Sequence, residues 1–219
     1  LYDGNKFLIE DYEISYTPSV AVLDRCLKKP ATDRRKVLLA GVVTAQTPVV
    51  EAEIEAVGKM FDESVRFLGK EATVENLRRS SAGSGVVHLA CHGKFRQDNP
   101  GFSSLVLYSE ELTVKEVQNF PLENCMVVLS ACESGLNEVV RGEELIGLTR
   151  AFIAAGASSL VLSLWRVDDH ATLQLMETFY AEFCGGKGVG ESLRTAQRRL
   201  IEAEFHPYLW SPFILTGRW

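Results

Sequence analysis

Two apolar runs in this 219-residue chain lead into a histidine and a cysteine. Residues 86–91 precede His92, and residues 126–131 precede Cys132, each with a glycine close behind. A cysteine attacks a carbonyl effectively only as the thiolate, so it needs a neighbouring group that accepts its proton, and imidazole can do so. The two residues are 40 positions apart, which leaves room for one intervening element and a return to a neighbouring strand. The residue types therefore predict nucleophilic chemistry by a Cys-His pair.

The elements that must position this pair are strands of a parallel sheet. Continuous apolar runs without alternation are typical of strands buried on both faces, and catalytic groups in such sheets lie at the carboxyl ends of strands. Runs of this kind occur at residues 36–43, 86–91, 126–131 and 158–165. Segments of helical periodicity alternate with them, at residues 49–61, 142–155, 169–183 and 189–203. This alternation predicts an α/β fold, a mostly parallel sheet flanked by helices on both faces.

The ends of the chain carry two further expectations. Residues 6–16 alternate apolar and polar side chains, which predicts a hairpin or strand pair at the sheet edge. We expect a single domain over residues 1–219, since that length is ordinary for one α/β domain. The first residue is a leucine rather than an initiator methionine, so we also expect a fragment of a longer chain.

Composition argues against several function classes. The net charge of −6 gives no general attraction to nucleic acid or to anionic lipid. No apolar stretch approaches the roughly 20 residues needed to span a bilayer, and residues 1–20 do not resemble a signal peptide. Five cysteines without paired spacing fit reduced thiols better than a disulfide framework. These features predict a cytoplasmic protein without nucleic-acid or membrane partners.

The other histidine and cysteine of the first motif raise the alternative of a zinc site. His88, Cys91, His92 and Cys132 are all possible zinc ligands. Alternation along a strand, however, puts His88 and His92 on one face and Cys91 on the other, and the chain has no Cys-x-x-Cys pair. We therefore expect no metal, and we assign His88 to the core.

Six motifs in the same order resemble those of the CHAT domain, a caspase-like module of the clan that also contains caspases and separases. They are His-Leu-Ala-Cys-His-Gly at 88–93, Leu-Ser-Ala-Cys-Glu-Ser-Gly at 129–135, Arg-Gly-Glu-Glu-Leu-Ile-Gly-Leu at 141–148, Ala-Ala-Gly-Ala at 154–157, Ser-Leu-Trp-Arg-Val-Asp-Asp at 163–169 and His-Pro-Tyr-Leu-Trp-Ser-Pro-Phe at 206–213. The resemblance implies a caspase-like sheet and a cysteine endopeptidase with His92 and Cys132 as its dyad. It also implies an oxyanion hole formed by the backbone N–H groups of Gly93 and Cys132, and no cofactor.

The substrate pocket is less well specified. Many relatives favour a basic residue before the cut, which implies a carboxylate in the S1 pocket. The candidates are Asp168, Asp169, Asp98 and Glu133, with Asp168 first because it follows the strand beside the cysteine strand. Asp168 and Asp169 also precede a helix, where acidic residues are favoured as caps. An apolar S1 pocket stays an alternative.

The resemblance further implies a protein substrate, a bacterial cytosol and activation by a partner or an upstream sensor region, often of tetratricopeptide repeats. The loop 133–141 has few apolar anchors and is the segment expected to become ordered on activation. Two other functions stay open at this point. One is a catalytically silent, protease-like interaction scaffold, and the other is a small-molecule thiol hydrolase on the same sheet.

Overall fold

The computed structural model describes residues 2–45, 47–94, 96, 99–130, 132–133, 146–165 and 168–219, and only the backbone at residues 100, 132, 133 and 146. Its strands are β1 (Ser15–Tyr16), β2 (Lys36–Gly41), β3 (Glu63–Leu68), β4 (Val86–Ala90), β5 (His92–Lys94), β6 (Ser104–Val106), β7 (Glu111–Thr113), β8 (Met126–Leu129), β9 (Cys132–Glu133), β10 (Ser159–Ser163) and β11 (Phe213–Gly217). Its helices are α1 (Leu8–Asp11), α2 (Val20–Leu27), α3 (Val50–Gly58), α4 (Val74–Ser81), α5 (Val114–Val117), α6 (Ile146–Ala154), α7 (Asp169–Cys184) and α8 (Val189–Glu202). Together they form an α/β fold.

A seven-stranded sheet carries the strands that lead into the candidate dyad. Its order is β1-β11-β10-β8-β4-β2-β3, and among these strands only the pair β10–β11 is antiparallel. Strands β2, β4, β8 and β10 all run in the same direction, so their carboxyl ends meet at one edge. This arrangement confirms the mostly parallel sheet predicted from the continuous apolar runs.

Helices cover both faces of this sheet, as predicted. Val37 and Leu39 of β2 pack with apolar residues of α3, α7 and α8 on one face. Leu38 and Ala40 pack with residues of α2, α4, α5 and α6 on the other. Burial on both faces explains why these strands carry uninterrupted apolar sequence rather than an alternating pattern.

The N-terminal segment differs from its prediction, because residues 6–16 do not form a hairpin. Residues 8–11 form α1, and a Glu10 carboxylate oxygen accepts the Phe7 backbone N–H at 2.7 Å, which turns the chain into the helix. The Phe7 ring packs on Trp210, with centroids 4.9 Å apart. Only β1 joins the sheet, parallel to β11 at the edge. Phe7 and Ile9 thus pack against the apolar cluster that contains Trp210, whereas Leu8, Tyr12 and Tyr16 are exposed.

No helix in the described part of the chain is long and apolar enough to cross a membrane.

Gly85 immediately precedes β4 and allows a close backbone crossing. A Cβ atom at this position would lie 1.8 Å from the carbonyl oxygen of Asp33, a main-chain atom that cannot rotate away. The Gly85 N–H also donates to the Lys36 carbonyl at 3.1 Å, at the start of β2. Because glycine has no side chain, the backbone at the start of the histidine strand can pass this close to the Asp33 carbonyl.

Gly85→Ala is expected to lower the free energy of unfolding by about 3 kcal/mol, because the backbone must shift to relieve the overlap. Urea unfolding followed by circular dichroism measures this change. Gly188→Ala is the matched control, since the nearest atom to its added Cβ is 3.6 Å away, and it should cost no more than about 1 kcal/mol. Equal losses in the two variants would contradict the account of Gly85.

Candidate active site

The histidine and the cysteine predicted from the sequence come together at the carboxyl edge of the sheet. Strand β5 follows β4, strand β9 follows β8, and the two short strands pair in parallel, with His92 opposite Cys132 and Gly93 opposite Glu133. Neighbouring strands lie about 4.8 Å apart, so the two backbones are separated by roughly that distance. This spacing is compatible with proton transfer between an imidazole and a thiol that project to the same side.

A second, four-stranded sheet supports this pairing. Its order is β7-β6-β5-β9, and β5 pairs antiparallel with β6 from His92↔Val106 to Lys94↔Ser104. Glu111 of β7 ties the sheet together, since its carboxylate accepts from the Ser104 hydroxyl at 2.7 Å and forms an ion pair with Lys94. His92 and Gly93 are therefore held by strand pairing on both sides.

The imidazole of His92 is almost completely buried and is held from one side by a threonine. Its Nε2 atom lies 3.0 Å from the Thr44 hydroxyl oxygen. His92 as a whole is only 7% exposed. Thr44 lies just beyond β2, the strand next to β4. The Thr44 hydroxyl in turn lies 2.9 Å from the hydroxyl of Thr47.

The hydrogen bonds around Thr44 favour one tautomer of His92. The Val42 carbonyl can only accept, so the Thr47 hydroxyl donates to it across 3.4 Å. Thr44 then donates to Thr47 and accepts from Nε2–H of His92. The Nδ1 atom is left as the basic nitrogen, and it is buried without a hydrogen-bond partner among the described residues. An unoccupied acceptor of this kind suits a group that has to take a proton.

Thr44 and Thr47 were missed by the sequence analysis. The sequence did contain an indication of these residues. Thr-Ala-Gln-Thr at 44–47 follows an apolar strand directly, just as the two candidate dyad residues do. What was lacking was the strand order. Only the pairing of β2 with β4 places residue 44 beside residue 92.

The S1 candidates lie in different settings. Asp168 is exposed and caps α7, with its Oδ1 accepting from the N–H groups of His170 and Ala171 at 3.0 and 3.1 Å. Asp169 is half-buried, and its Oδ2 accepts from the Val49 N–H at 3.4 Å. Glu133 is described only by its backbone, opposite Gly93. Asp98 lies outside the described residues, as do residues 134–141 of the loop that follows Glu133.

The capping geometry at Asp168 is the one that its position before a helix predicts. Asp169 instead connects the start of α7 to the residue before α3. A hydrogen bond from a backbone N–H group does not neutralise a carboxylate. Asp168 and Asp169 therefore both keep their negative charge at the carboxyl edge.

The remaining described cysteines occupy settings that suppress thiol reactivity. Cys26, Cys91 and Cys125 are buried, and Cys184 is half-buried. Burial raises the pKa of the Cys26, Cys125 and Cys184 thiols, and most strongly that of Cys125. These three thiols are thus protonated at neutral pH and poorly nucleophilic.

His88 lies in the core, which confirms its assignment from the sequence. It is fully buried on the face that β4 shares with α3 and α7, whereas Cys91 packs in the cluster on the opposite face. The two residues therefore do not face a common ligand, as strand alternation predicted.

Comparison with known proteins gives matches over most of the chain. The family model of the CHAT domain matches residues 1–218. Tetratricopeptide repeat protein 28 of Homo sapiens is 32% identical over 132 residues, which cover 58% of this chain and 5% of that protein. The Mus musculus protein of the same name is 33% identical over 110 residues, or 48% of this chain and 4% of that protein. The chain thus spans only a small part of the length of these relatives.

Solved structures share the fold at low sequence identity. The chain superposes on the separase of the Saccharomyces cerevisiae separase–securin complex with a TM-score of 0.66, 16% identity, and coverage of 95% of this chain and 14% of that one. It superposes on the Arg specific cysteine proteinase gingipain R with a TM-score of 0.64, 10% identity, and coverage of 86% and 48%. The sheet and its flanking helices are therefore of the caspase-like type.

Thr44→Val is expected to weaken the preference of His92 for the Nε2–H tautomer, because valine keeps the shape of threonine and lacks the hydroxyl acceptor. Side-chain ¹⁵N NMR of the histidine rings measures the tautomer, with His92→Ala to assign the signals. Thr44→Ser retains the hydroxyl and should retain the wild-type spectrum. An unchanged His92 spectrum in Thr44→Val would contradict the hydrogen-bond assignment.

Proposed function

This chain belongs to the CHAT-domain family, and we propose that it is a cysteine endopeptidase that cleaves a protein substrate through Cys132 and His92. The observation that carries the proposal is the direct pairing of these two residues across β5 and β9. The caspase-like fold supports it, since separase and gingipain R share the same sheet. No cofactor is required for this chemistry.

The proposed reaction begins with transfer of the Cys132 thiol proton to Nδ1 of His92. The thiolate attacks the scissile carbonyl carbon, and negative charge develops on the carbonyl oxygen. The backbone N–H groups of Gly93 and Cys132 are the proposed oxyanion donors, and such donors contribute about 3–4 kcal/mol each in acyl-transfer sites. The imidazolium then protonates the leaving amine as the C–N bond breaks. Water hydrolyses the resulting thioester and returns the proton to the sulfur.

Thr44 determines which nitrogen of His92 accepts the thiol proton in this proposed cycle. With Nε2–H directed to the Thr44 hydroxyl, the ring presents Nδ1 to the thiol in the neutral state. When the ring becomes charged, the same Nε2–H keeps its acceptor, which stabilises the imidazolium at the step where it forms. The threonine thus orients the base without taking up the transferred proton.

For specificity we propose a basic residue before the scissile bond. Asp168 and Asp169 lie at the carboxyl edge after β10, on the far side of β8 from the histidine strand. We propose that these carboxylates attract the substrate cation, and Glu133 and Asp98 are the further candidates. Asp168 is the first choice because it is exposed, whereas Asp169 is half-buried.

For regulation we propose an upstream tetratricopeptide repeat region or a separate activating protein. The matched relatives are much longer than this chain and are named for such repeats. We further propose that the protein acts in the cytoplasm. The four free cysteines in the described part of the chain fit a reducing compartment.

A protease-like scaffold is the second candidate, and the relation to repeat proteins favours it, since repeat arrays commonly present binding surfaces. A scaffold would not depend on a reactive Cys132. Thiol reactivity therefore separates the two candidates.

Without its proposed activator, the isolated protein is expected to cleave members of a mixed peptide library at a basal rate. Cys132→Ala and His92→Ala should each abolish the cuts because each removes half of the proposed dyad. Mass spectrometry of the products measures cleavage. Cys184→Ala is the matched control and should cleave as the wild type does. Cuts that persist in Cys132→Ala would overturn the assignment of the nucleophile.

The same products report specificity. Lysine or arginine before most cuts, with loss of that preference in Asp168→Asn, would support the proposed S1 residue. An unaltered preference in Asp168→Asn directs the test to Asp169, Glu133 and Asp98. Equal cutting after arginine and leucine would contradict a basic S1 preference.

At pH 7.5 an electrophilic peptide is expected to label Cys132 faster than the other cysteines, because burial holds Cys26, Cys125 and Cys184 in the thiol form. Peptide mapping after brief labelling measures the rates. His92→Ala should slow the labelling of Cys132 alone. Labelling of Cys132 no faster than that of half-buried Cys184 would favour the scaffold.

A further inference from the structure

Three titratable side chains that the proposed reaction does not use form a cluster inside the core. His88 of β4 lies between Glu53 of α3 and Tyr180 of α7. His88 Nδ1 is 3.0 Å from the Tyr180 hydroxyl, and His88 Nε2 is 3.1 Å from Glu53 Oε1. His88 and Tyr180 have no exposed surface, and Glu53 is only 4% exposed.

The polarity of the cluster follows from its burial. Burial, first, and the Glu53 charge, second, raise the pKa of the Tyr180 hydroxyl well above its usual value, so this group stays protonated and can donate to His88 Nδ1. His88 then carries its proton on Nε2, facing the Glu53 carboxylate. The approach of Nε2 to Oε1 is close but not aligned as a hydrogen bond, and neither atom has another partner among the described residues.

Stability alone does not account for such a cluster. Burial of a carboxylate and an imidazole costs solvation free energy that a misaligned contact recovers only in part. Well-packed apolar residues of similar volume are often as stabilising as a buried ion pair, or more so. Buried polar groups do, however, require one particular geometry, whereas apolar packing tolerates small shifts.

The three elements that the cluster joins are linked to the segments that carry His92 and Thr44. His88 lies in β4, and His92 follows four residues later at the start of β5. Glu53 lies in the first turn of α3, which begins just after the loop 42–49 that carries Thr44 and Thr47. Tyr180 lies on α7, whose first residue, Asp169, accepts the N–H of Val49 in that loop.

We infer that Glu53, His88 and Tyr180 are positioning residues for His92. They hold α3 and α7 at one setting against β4, and this setting places the Thr44 hydroxyl within hydrogen-bond distance of Nε2. A small slide of α3 along the sheet would carry the loop 42–49 with it and lengthen the contact between Thr44 and His92. The catalytic meaning of this inference rests on the proposed function, but the contact itself does not.

The test compares Glu53→Gln and Tyr180→Phe with Phe183→Leu. The first two substitutions keep side-chain size and remove one charge or one hydroxyl from the cluster. Phe183 is buried on the same helix and has no polar side-chain atom, so its truncation destabilises the core while leaving the polar groups of the cluster in place. All spectra are recorded well below each variant's melting temperature, and His92→Ala assigns the signals.

We expect Glu53→Gln and Tyr180→Phe to shift the His92 ring ¹⁵N signals in the direction produced by Thr44→Val. Phe183→Leu should lower the melting temperature and leave these signals at their wild-type positions. Wild-type His92 signals in both cluster variants, or an equal shift in Phe183→Leu, would overturn the inference. If Glu53→Gln does not fold, Tyr180→Phe, which lacks a single oxygen atom, decides the question.

Kinetics provide a second readout if the wild type cleaves peptides. The cluster variants are expected to lose at least about tenfold in kcat with little change in KM, since a misplacement of about 1 Å can cost on the order of 100-fold in rate. A change confined to KM would contradict a role through His92. If the wild type neither cleaves peptides nor shows preferential labelling of Cys132, the proposed function fails while the NMR comparison still tests the positioning role.

Discussion

The parallel register between β4 and β8 is the constraint on which the candidate site depends. Leu89 pairs with Leu129 in the large sheet, and His92 pairs with Cys132 in the small one, so the same offset of 40 residues continues from one sheet into the other. A slip of one residue would move every side chain of one strand to the opposite face. Both faces of β4 and β8 are buried, so such a slip would not expose their side chains to water. It would, however, misplace all of these side chains, and the loss of packing opposes the slip. The core thus protects the geometry of the dyad.

Polar groups at the carboxyl edge of the sheet influence the tautomer of His92. The apolar core can bring His92 near Cys132, but it has no means of selecting which ring nitrogen carries the proton. That selection comes from Thr44, through a chain of hydroxyl groups that ends on the Val42 carbonyl. In this chain of hydroxyl groups Thr47 is buried and Thr44 is half-buried. Dispersion and burial thus set the positions of the strands, and directed hydrogen bonds at their carboxyl ends favour one tautomer of His92.

The low identity to separase and gingipain R is consistent with this division of roles. A sheet buried on both faces requires apolar residues of suitable volume, and many sequences satisfy that requirement. The fold can therefore persist at 16% or 10% identity. Fold similarity for that reason does not carry function with it, and the argument for a peptidase rests on the residues at the strand ends.

Much of the fold could be predicted from local pattern. The runs that became β2, β4, β8 and β10 are continuous and apolar, and this pattern is itself a consequence of burial on both faces. Strand alternation also separated His88 from Cys91 correctly. The segment 6–16 was predicted wrongly as a hairpin, because alternation cannot distinguish a strand from a short turn of helix whose apolar residues pack against a partner such as Trp210.

The sequence by itself determined the candidate dyad residues, their place at the ends of buried strands and the class of sheet that carries them. These properties depend on residue type and on hydrophobic period, which are local. The tertiary structure alone decided that Thr44 lies against His92, that Asp169 holds the Val49 N–H, and that Glu53 and Tyr180 meet at His88. Each of these contacts joins elements far apart in the chain, and its existence depends on strand order and on how α3 and α7 pack on one face. No local pattern contains that information, because a hydrogen bond requires distances and directions that only the packed elements define.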